Sequence, residues 1–357
     1  MKMLVTGANG FLGRHAVAEL LARGHAVRAL VRPAARLDEL DWPEAVEVFR
    51  GDLRAAKNLE LAFEGIDVLV HLAAAVTGGE DVQFAASVVG TERLLTAMER
   101  STTKRLVLAS SFSVYDWSKA RGTLTEETPV ETGPRLYDRD GYAVAKVWQE
   151  RVVRRFSEAN GWSLTVLRPG FIWGRGNVYL ACLGQKVGPL HLVFGPNTQI
   201  PLTHVENCAR CFVLAAESEH AAGATFNVID DDDVRIWGYL GDYLRHSGTR
   251  GVRVPVPYFL AKVGTHLAQA VSKLLFRGKG KLPSLLVPRR FEARFKPLRY
   301  SNLEARRRLG WQPAQSYEEC LPRSYAATPR PDSSSDSVSS SASVSVPSSS
   351  SFASTHD

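Results

Sequence analysis

Cysteine is scarce: four residues in 357, at positions 182, 208, 211 and 320, too few and too widely spread for a disulfide framework. Cys208 and Cys211 make a single C-x-x-C with no second pair, so neither a metal site nor a redox pair is expected. No apolar run reaches the roughly 20 residues that cross a bilayer, and the first residues read as a strand, with no secretory leader. A reducing, cytoplasmic setting is the expectation. A strong charge of one sign is missing too. The net charge of +7 is mild and scattered, which suits a phosphorylated ligand or an anionic membrane surface and argues against nucleic acid as a partner. Residues 327–357 lack apolar periodicity and are rich in serine, so they cannot repay the entropy of folding and are expected to form a disordered tail.

What the chain does have begins at once. Met3-Leu4-Val5 is a short apolar run of the kind that forms a buried parallel strand. Thr6-Gly7-Ala8-Asn9-Gly10-Phe11-Leu12-Gly13 follows, and then Ala16, Leu20 and Leu21 continue at helical spacing. A strand, a glycine turn and a helix place backbone N–H groups at a helix N-terminus, a pocket for pyrophosphate. The backbone of Gly7, Asn9, Gly10, Phe11, Leu12 and Gly13 is the expected cradle. The spacing is G-x-x-G-x-x-G, a variant of the dinucleotide fingerprint.

A carboxylate is lacking where the second strand, residues 26–31, ends. An acid there would bond a ribose 2′-hydroxyl and repel a 2′-phosphate. The chain instead carries Arg32, with Arg14 just past the glycine turn, so NADP is favoured over NAD. A third strand at 46–49 leads into Gly51-Asp52-Leu53, where Asp52 either accepts from the adenine amino group or caps a helix. A fourth strand, 67–72, runs into Ala73-Ala74-Ala75. With Leu72, Ala73 and Ala74 at its end, small side chains leave room for a ligand in the crevice of the sheet. A helix over 90–99, a fifth strand over 105–109 and a sixth over 164–167 complete a β-α-β rhythm. That rhythm implies an α/β fold, a Rossmann-type doubly wound parallel sheet.

The fifth strand ends in Ser110-Ser111-Phe112-Ser113-Val114-Tyr115, and after a polar loop Tyr142-Ala143-Val144-Ala145-Lys146 opens a helix. Tyr142 and Lys146, four apart, share a helix face. A phenol near pKa ~10 is a poor base at neutral pH, but an adjacent ammonium and an oxidised nicotinamide both lower it. Tyr142 is therefore the candidate acid/base, Lys146 its tuning group, and a serine at the strand end the holder of the substrate oxygen.

Together these residues resemble the extended short-chain dehydrogenase/reductase superfamily of NAD(P)-dependent epimerase/dehydratase type. Residues 1–322 carry the resemblance. Its elements are Thr6-Gly7-x-x-Gly10-x-x-Gly13, Gly51-Asp52-Leu53, His71-Leu72-Ala73-Ala74, Val88-Val89-Gly90-Thr91, Ser110-Ser111-x-x-Val114-Tyr115, Tyr142-x-x-x-Lys146, Arg168-Pro169 through Gly174, and His204-Val205. The resemblance implies that Ser111, four residues before Tyr115, is the catalytic serine, that Lys146 also bonds the nicotinamide ribose, and that the backbone after Pro169 meets the nicotinamide amide. The chain has Phe112-Ser113 where the dehydratase branch has Asp-Glu, which disfavours dehydration. Arg175 replaces the proline after Gly174, and Asp138-Arg139-Asp140 is a charged insert at the expected active-site entrance.

Later segments resemble the 3β-hydroxysteroid/sterol dehydrogenase-like branch. Lys296-Pro297-Leu298-Arg299-Tyr300-Ser301 and Ala305-Arg306-Arg307-Arg308-Leu309-Gly310-Trp311 carry that likeness. The expected organisation is a dinucleotide-binding domain over 1–175, returning at 200–230, and a substrate lobe over 176–199 and 231–326. Residues 177–199 read as irregular loops with one helix, and Asp230–Asp233 as a solvated turn and helix cap rather than a metal site. A helix at 258–276 has apolar Phe259, Val263, Leu267, Val271 and Leu274 on one face and Lys262, His266, Gln269 and Lys273 on another. It reads as a lobe helix with a solvated basic face, or, with the basic run after it, as peripheral membrane contact through 258–281, or as part of a segment whose arginines hold a substrate diphosphate.

The expected function is hydride transfer between NADP, or else NAD, and a secondary alcohol or ketone of a sterol- or isoprenoid-like small-molecule substrate. A nucleotide-sugar epimerase or reductase using the same three residues is the alternative, and a non-catalytic NADP-binding regulator a further one. The superfamily implies a homodimer.

Overall fold

The computed structural model describes residues 1–38, 40, 42–55, 58–276 and 282–326. Arg277, Lys279, Lys281 and the serine-rich 327–357 segment lie outside the described residues. Strand β1 (Lys2–Thr6) sets the architecture: Met3 and Val5 enter the core on one face of a sheet and Leu4 the core on the other. A strand covered on both faces needs an unbroken apolar run, which explains why Met3-Leu4-Val5 has no polar member.

In chain order, α1 (Phe11–Ala22), β2 (Ala26–Val31), β3 (Val46–Arg50), β4 (Val68–His71), α2 (Glu80–Phe84), α3 (Gly90–Glu99) and β5 (Arg105–Ala109) follow. Next come β6 (Thr123–Leu124), α4 (Gly141–Asn160), β7 (Ser163–Pro169), β8 (Phe171–Trp173), β9 (Gln185–Val187), β10 (Leu190–Phe194), β11 (Leu202–His204), α5 (Val205–Glu217) and β12 (Thr225–Val228). Seven of these strands form one parallel sheet in the order β12-β7-β5-β4-β1-β2-β3. The winding reverses between β1 and β4, and at that point the carboxyl ends Thr6 and His71 lie side by side. A ligand crevice is expected at such a switch point. The fold is the Rossmann-type doubly wound sheet.

The remaining elements are α6 (Ile236–His246), β13 (Val252–Val256), α7 (Tyr258–Phe276), α8 (Pro288–Phe295), β14 (Arg299–Tyr300), α9 (Leu303–Leu309) and α10 (Tyr317–Tyr325). They enclose a separate aromatic core in which Trp173 packs edge-on against Tyr239 and Phe291 packs at a tilt on Phe295. The segment 177–199 corrects the sequence reading. It holds two antiparallel strands, β9 and β10, and β10 takes β13 as a parallel partner, Leu190 opposite Val252. Strands this short gain their pairing from a segment some sixty residues away, which no local pattern announces.

The acidic run is also corrected. Asp230 is buried and accepts from the His204 N–H at 2.7 Å, Asn207 Nδ2 at 3.0 Å and Thr203 Oγ1 at 3.1 Å. Burial lifts its pKa to about 7 against those three donors. Asp231 accepts from Asn302 and Arg306, and Asp232 from the Tyr317 N–H. The run fastens β11, α9 and α10 to the end of β12.

Candidate active site

The glycine turn fits a pyrophosphate. Gly7 has φ +68°, a left-handed conformation, and a Cβ there would lie 2.9 Å from Ala73 N. A Cβ on Gly13 would lie 2.0 Å from the Gly7 carbonyl oxygen, so no side chain is possible where α1 meets β1. No side chain caps α1 and no acid occupies its first turn. Its first N–H groups therefore remain available to an anion at the positive end of the helix dipole. Asn9, Phe11 and Leu12 are part-exposed on this turn, and Leu72, Ala73 and Ala74 form the half-buried wall opposite. The wall is tied to the turn, since Thr6 Oγ1 hydrogen-bonds His71 Nδ1 at 2.6 Å and accepts from the Ala73 N–H at 3.3 Å.

At the far end of the crevice, Arg32 is exposed just past β2. Asp52 accepts from the backbone N–H of Arg54 at 2.9 Å and from its guanidinium at 2.8 Å. Those hydrogen bonds hold its carboxyl below the usual range, with Arg32 adding positive charge nearby. Leu53 turns inward against the start of α3, where it faces Gly90. Arg14 is elsewhere: its Nη2 donates to the Arg175 carbonyl at 3.2 Å. Arg32 thus stands just past β2, and Arg14 against the 174–176 loop. Pro169 closes β7 beside Val228.

Ser111, Tyr142 and Lys146 converge at the carboxyl end of β5. Ser111 Oγ accepts from the Ser113 N–H at 3.1 Å and lies near enough to the Tyr142 hydroxyl to favour its ionised form. Lys146 Nζ lies 6.0 Å from the centre of the Tyr142 ring. It donates to the Ala109 carbonyl at 2.6 Å and to Gln149 Oε1 at 2.9 Å, so one of its three donors remains. Burial pushes the Tyr142 phenol up to about 12, against the effect of Ser111. Burial also drives the Lys146 ammonium down to about 7, with Glu150 opposing the shift. Ser110 is engaged differently, donating to Glu150 Oε2 at 2.6 Å.

Several residues take supporting roles that the sequence reading did not assign to them. Asp140 caps the first turn of α4, accepting from the Ala143 N–H at 3.0 Å, and so fixes where Tyr142 starts. This is a standard N-cap signal, Asp before a helix, that the sequence does carry. Arg139 is not a solvated part of the insert but is buried, donating to the Tyr115 and Ser113 carbonyls at 3.2 and 3.0 Å. Gln149 donates to Thr91 Oγ1 at 2.9 Å and to the Ala73 carbonyl at 3.2 Å, and thereby joins Lys146 to the crevice wall. Beneath them the buried Glu150 pairs with Arg168 at 2.5 Å.

The sequence profile of the NAD dependent epimerase/dehydratase family matches residues 3–228. A Stigmatella aurantiaca protein, "4-hydroxy-2-methyl-3-oxo-4-farnesyl-3,4-dihydroquinoline-1-oxide ketoreductase", is 29% identical over 282 residues, covering 77% of this chain and 82% of its own. A "3 beta-hydroxysteroid dehydrogenase/Delta 5-->4-isomerase" of Mycobacterium tuberculosis is 30% identical over 344 residues, 90% of each chain. Among solved structures, the UDP-glucuronic acid 4-epimerase of Bacillus cereus with NAD matches at TM-score 0.68 and 19% identity, over 91% of this chain and 97% of that one.

Proposed function

The chain belongs to the NAD dependent epimerase/dehydratase family, and from that membership we propose that it reduces a lipophilic ring ketone, or oxidises the matching secondary alcohol. The observation that carries this reading is the convergence of Ser111, Tyr142 and Lys146 beside the uncapped α1 turn. The nicotinamide, when bound, supplies or accepts the hydride. Ser111 orients the substrate oxygen. Tyr142, kept as a phenol by burial, is in the form that donates a proton to a ketone oxygen. Lys146 uses its remaining donor for a nicotinamide ribose and its charge for the tyrosine.

Gln149 is a positioning residue for Lys146. Gln149→Leu removes an acceptor that favours the ammonium, so the lysine pKa falls below about 7 and the alkaline limb of the kcat/KM profile moves to lower pH. Gln149→Glu adds a carboxylate and is expected to move that limb the other way. Opposite shifts from the two variants, read in pH–rate profiles, separate tuning of the lysine from a loss of packing.

The bound group is a nicotinamide dinucleotide, and NADP is the proposed form. Arg32 at the end of β2 supports this, since no carboxylate follows that strand. Arg32→Ala is expected to weaken NADPH by about tenfold or more, as loss of a hydrogen bond to a charged group implies, and to leave NADH unchanged. Fluorescence titration of both coenzymes reads the difference, and equal binding by the unaltered chain would return the preference to NAD.

A sterol- or isoprenoid-like substrate is supported by the two sequence relatives, named for a farnesylated ring ketone and a 3β-hydroxysteroid. It is also supported by the aromatic core of the proposed substrate lobe, residues 176–199 and 231–326. Buried Phe112, packed edge-on to Tyr115 where the dehydratase branch has an acid, supports hydride transfer without dehydration. Four buried free thiols fit a cytoplasmic enzyme. The reading includes a homodimer, tested by the mass in solution. The decisive assay supplies NADPH with lipophilic ring ketones and follows coenzyme oxidation. Stoichiometric consumption supports the reductase. Turnover of a nucleotide sugar on a retained coenzyme, with none consumed, would establish the epimerase alternative instead.

A further inference from the structure

We propose that α7 lies on an anionic lipid surface and holds the enzyme there. The helix is packed with its polarity reversed. Thr265 and Ser272 face inward, 2% and 6% exposed, while Leu260, Leu267, Val271, Leu274 and Leu275 are between 51% and 81% exposed. A helix whose partner was the protein core would bury those leucines and leave the hydroxyls in water. Among the described residues nothing covers this face. The orientation is fixed from below: Lys262 pairs with Glu292 of α8 at 2.6 Å, and Tyr258 stacks on Phe291 with ring centres 5.8 Å apart. Rotating the apolar stripe inward would break both contacts.

Charge identifies the occupant. No Asp or Glu occurs between Asp242 and Glu292, and Lys273, Arg277, Lys279 and Lys281 follow the last apolar turns within a few residues. An apolar stripe ending in an acid-free basic run matches an interface whose headgroups are negative. A second copy of the chain would set one acid-free cationic segment against another, which like-charge repulsion disfavours. The serine-rich 327–357 segment has few large apolar side chains to offer the stripe. The helix spans no membrane, for no helix among the described residues is long and apolar enough to cross one. It lies in the surface plane, with the leucines among the acyl chains and Lys273 at the phosphates.

The inference stands apart from the identity of the ketone, and its test needs no turnover of one. The full chain is sedimented with phosphatidylcholine vesicles with and without phosphatidylserine. Binding is expected only to the anionic vesicles and to fall steeply with added salt. Leu267→Glu with Leu274→Glu, both at exposed positions, is expected to reduce binding at least tenfold while NADPH affinity in solution stays unchanged. Lys273→Glu with Arg277→Glu is expected to remove the preference for anionic lipid. Failure of the unaltered chain to bind anionic vesicles overturns the proposal. So does a dimer, seen by light scattering, that the leucine variant dissociates while vesicle binding is absent, because the stripe would then be a contact between copies.

Discussion

Tyr142→Phe is expected to lower kcat by about 10²–10⁴-fold, the range general acid–base groups contribute, while coenzyme affinity and the unfolding midpoint stay near those of the unaltered protein. The substitution deletes one oxygen. That oxygen is the only group on the Tyr142 ring able to exchange a proton, and the neighbouring Ser111 keeps its hydrogen bond from the Ser113 N–H. Lys146 remains tied to the Ala109 carbonyl and to Gln149 and still offers a donor to a ribose. The loss should therefore appear in kcat, measured in single turnovers with saturating coenzyme, with KM for coenzyme unmoved. The variant also separates function classes. If the chain acted as a non-catalytic NADP-binding regulator, Tyr142→Phe would leave its cellular role intact. A catalyst would lose that role with its rate. The direction of the burial effects is informative here. With the phenol raised to about 12, the free enzyme holds a proton ready for a ketone, the form reduction requires.

How much of this was legible in the sequence depended on whether the determinant was local. The parallel sheet was readable because each strand is a short apolar run next to glycines or a helix, and β2, α3 and β5 fall within a residue of the expected positions. Helix α7 was readable as amphipathic from its periodicity, but its orientation was not. Which face packs is decided by Glu292 and Phe291, which receive Lys262 and Tyr258 from another element. Packed on α8, the helix leaves its apolar face exposed, an orientation its periodicity alone does not carry. Asp230 failed for the same reason. Four acids in a row look solvated until the His204 N–H, Asn207 and Thr203 are brought to one of them. Gln149 carried no motif at all, because its meaning lies in touching Lys146, Thr91 and Ala73 together. Asp140 is the exception. Its role as cap was available from position alone.

Glu150→Leu is expected to destabilise the fold by about 3–5 kcal/mol, the loss found when a buried pair is left with one charge. Arg168 is 4% exposed, and its guanidinium reaches both oxygens of Glu150, at 2.5 and 3.2 Å. Without Glu150 it faces the Tyr115 ring at 4.8 Å and has no other carboxylate within ion-pair distance among the described residues. Arg168→Leu should cost less, because Arg154 also donates to Glu150 at 2.9 Å and has access to water. The double variant should recover part of the loss, since apolar groups of similar volume can replace a buried pair. Urea midpoints of the three variants measure this, and equal losses from both single variants would refute it. The same pair predicts a pH dependence. Burial pushes the Glu150 carboxyl up, but the Arg168 charge overrides burial and holds it at about 2, below its ordinary 4.5. A carboxyl depressed on folding stabilises above its unfolded pKa and ceases to as pH falls through the folded one. The contribution is therefore full above about 4.5 and lost toward about 2, a slope in the acid limb that Glu150→Leu should flatten. Because Glu150 also raises the Lys146 pKa, the variant should shift the kcat/KM profile to lower pH. One buried carboxylate thus sets both how firmly β7 is held to α4 and how much positive charge Lys146 keeps.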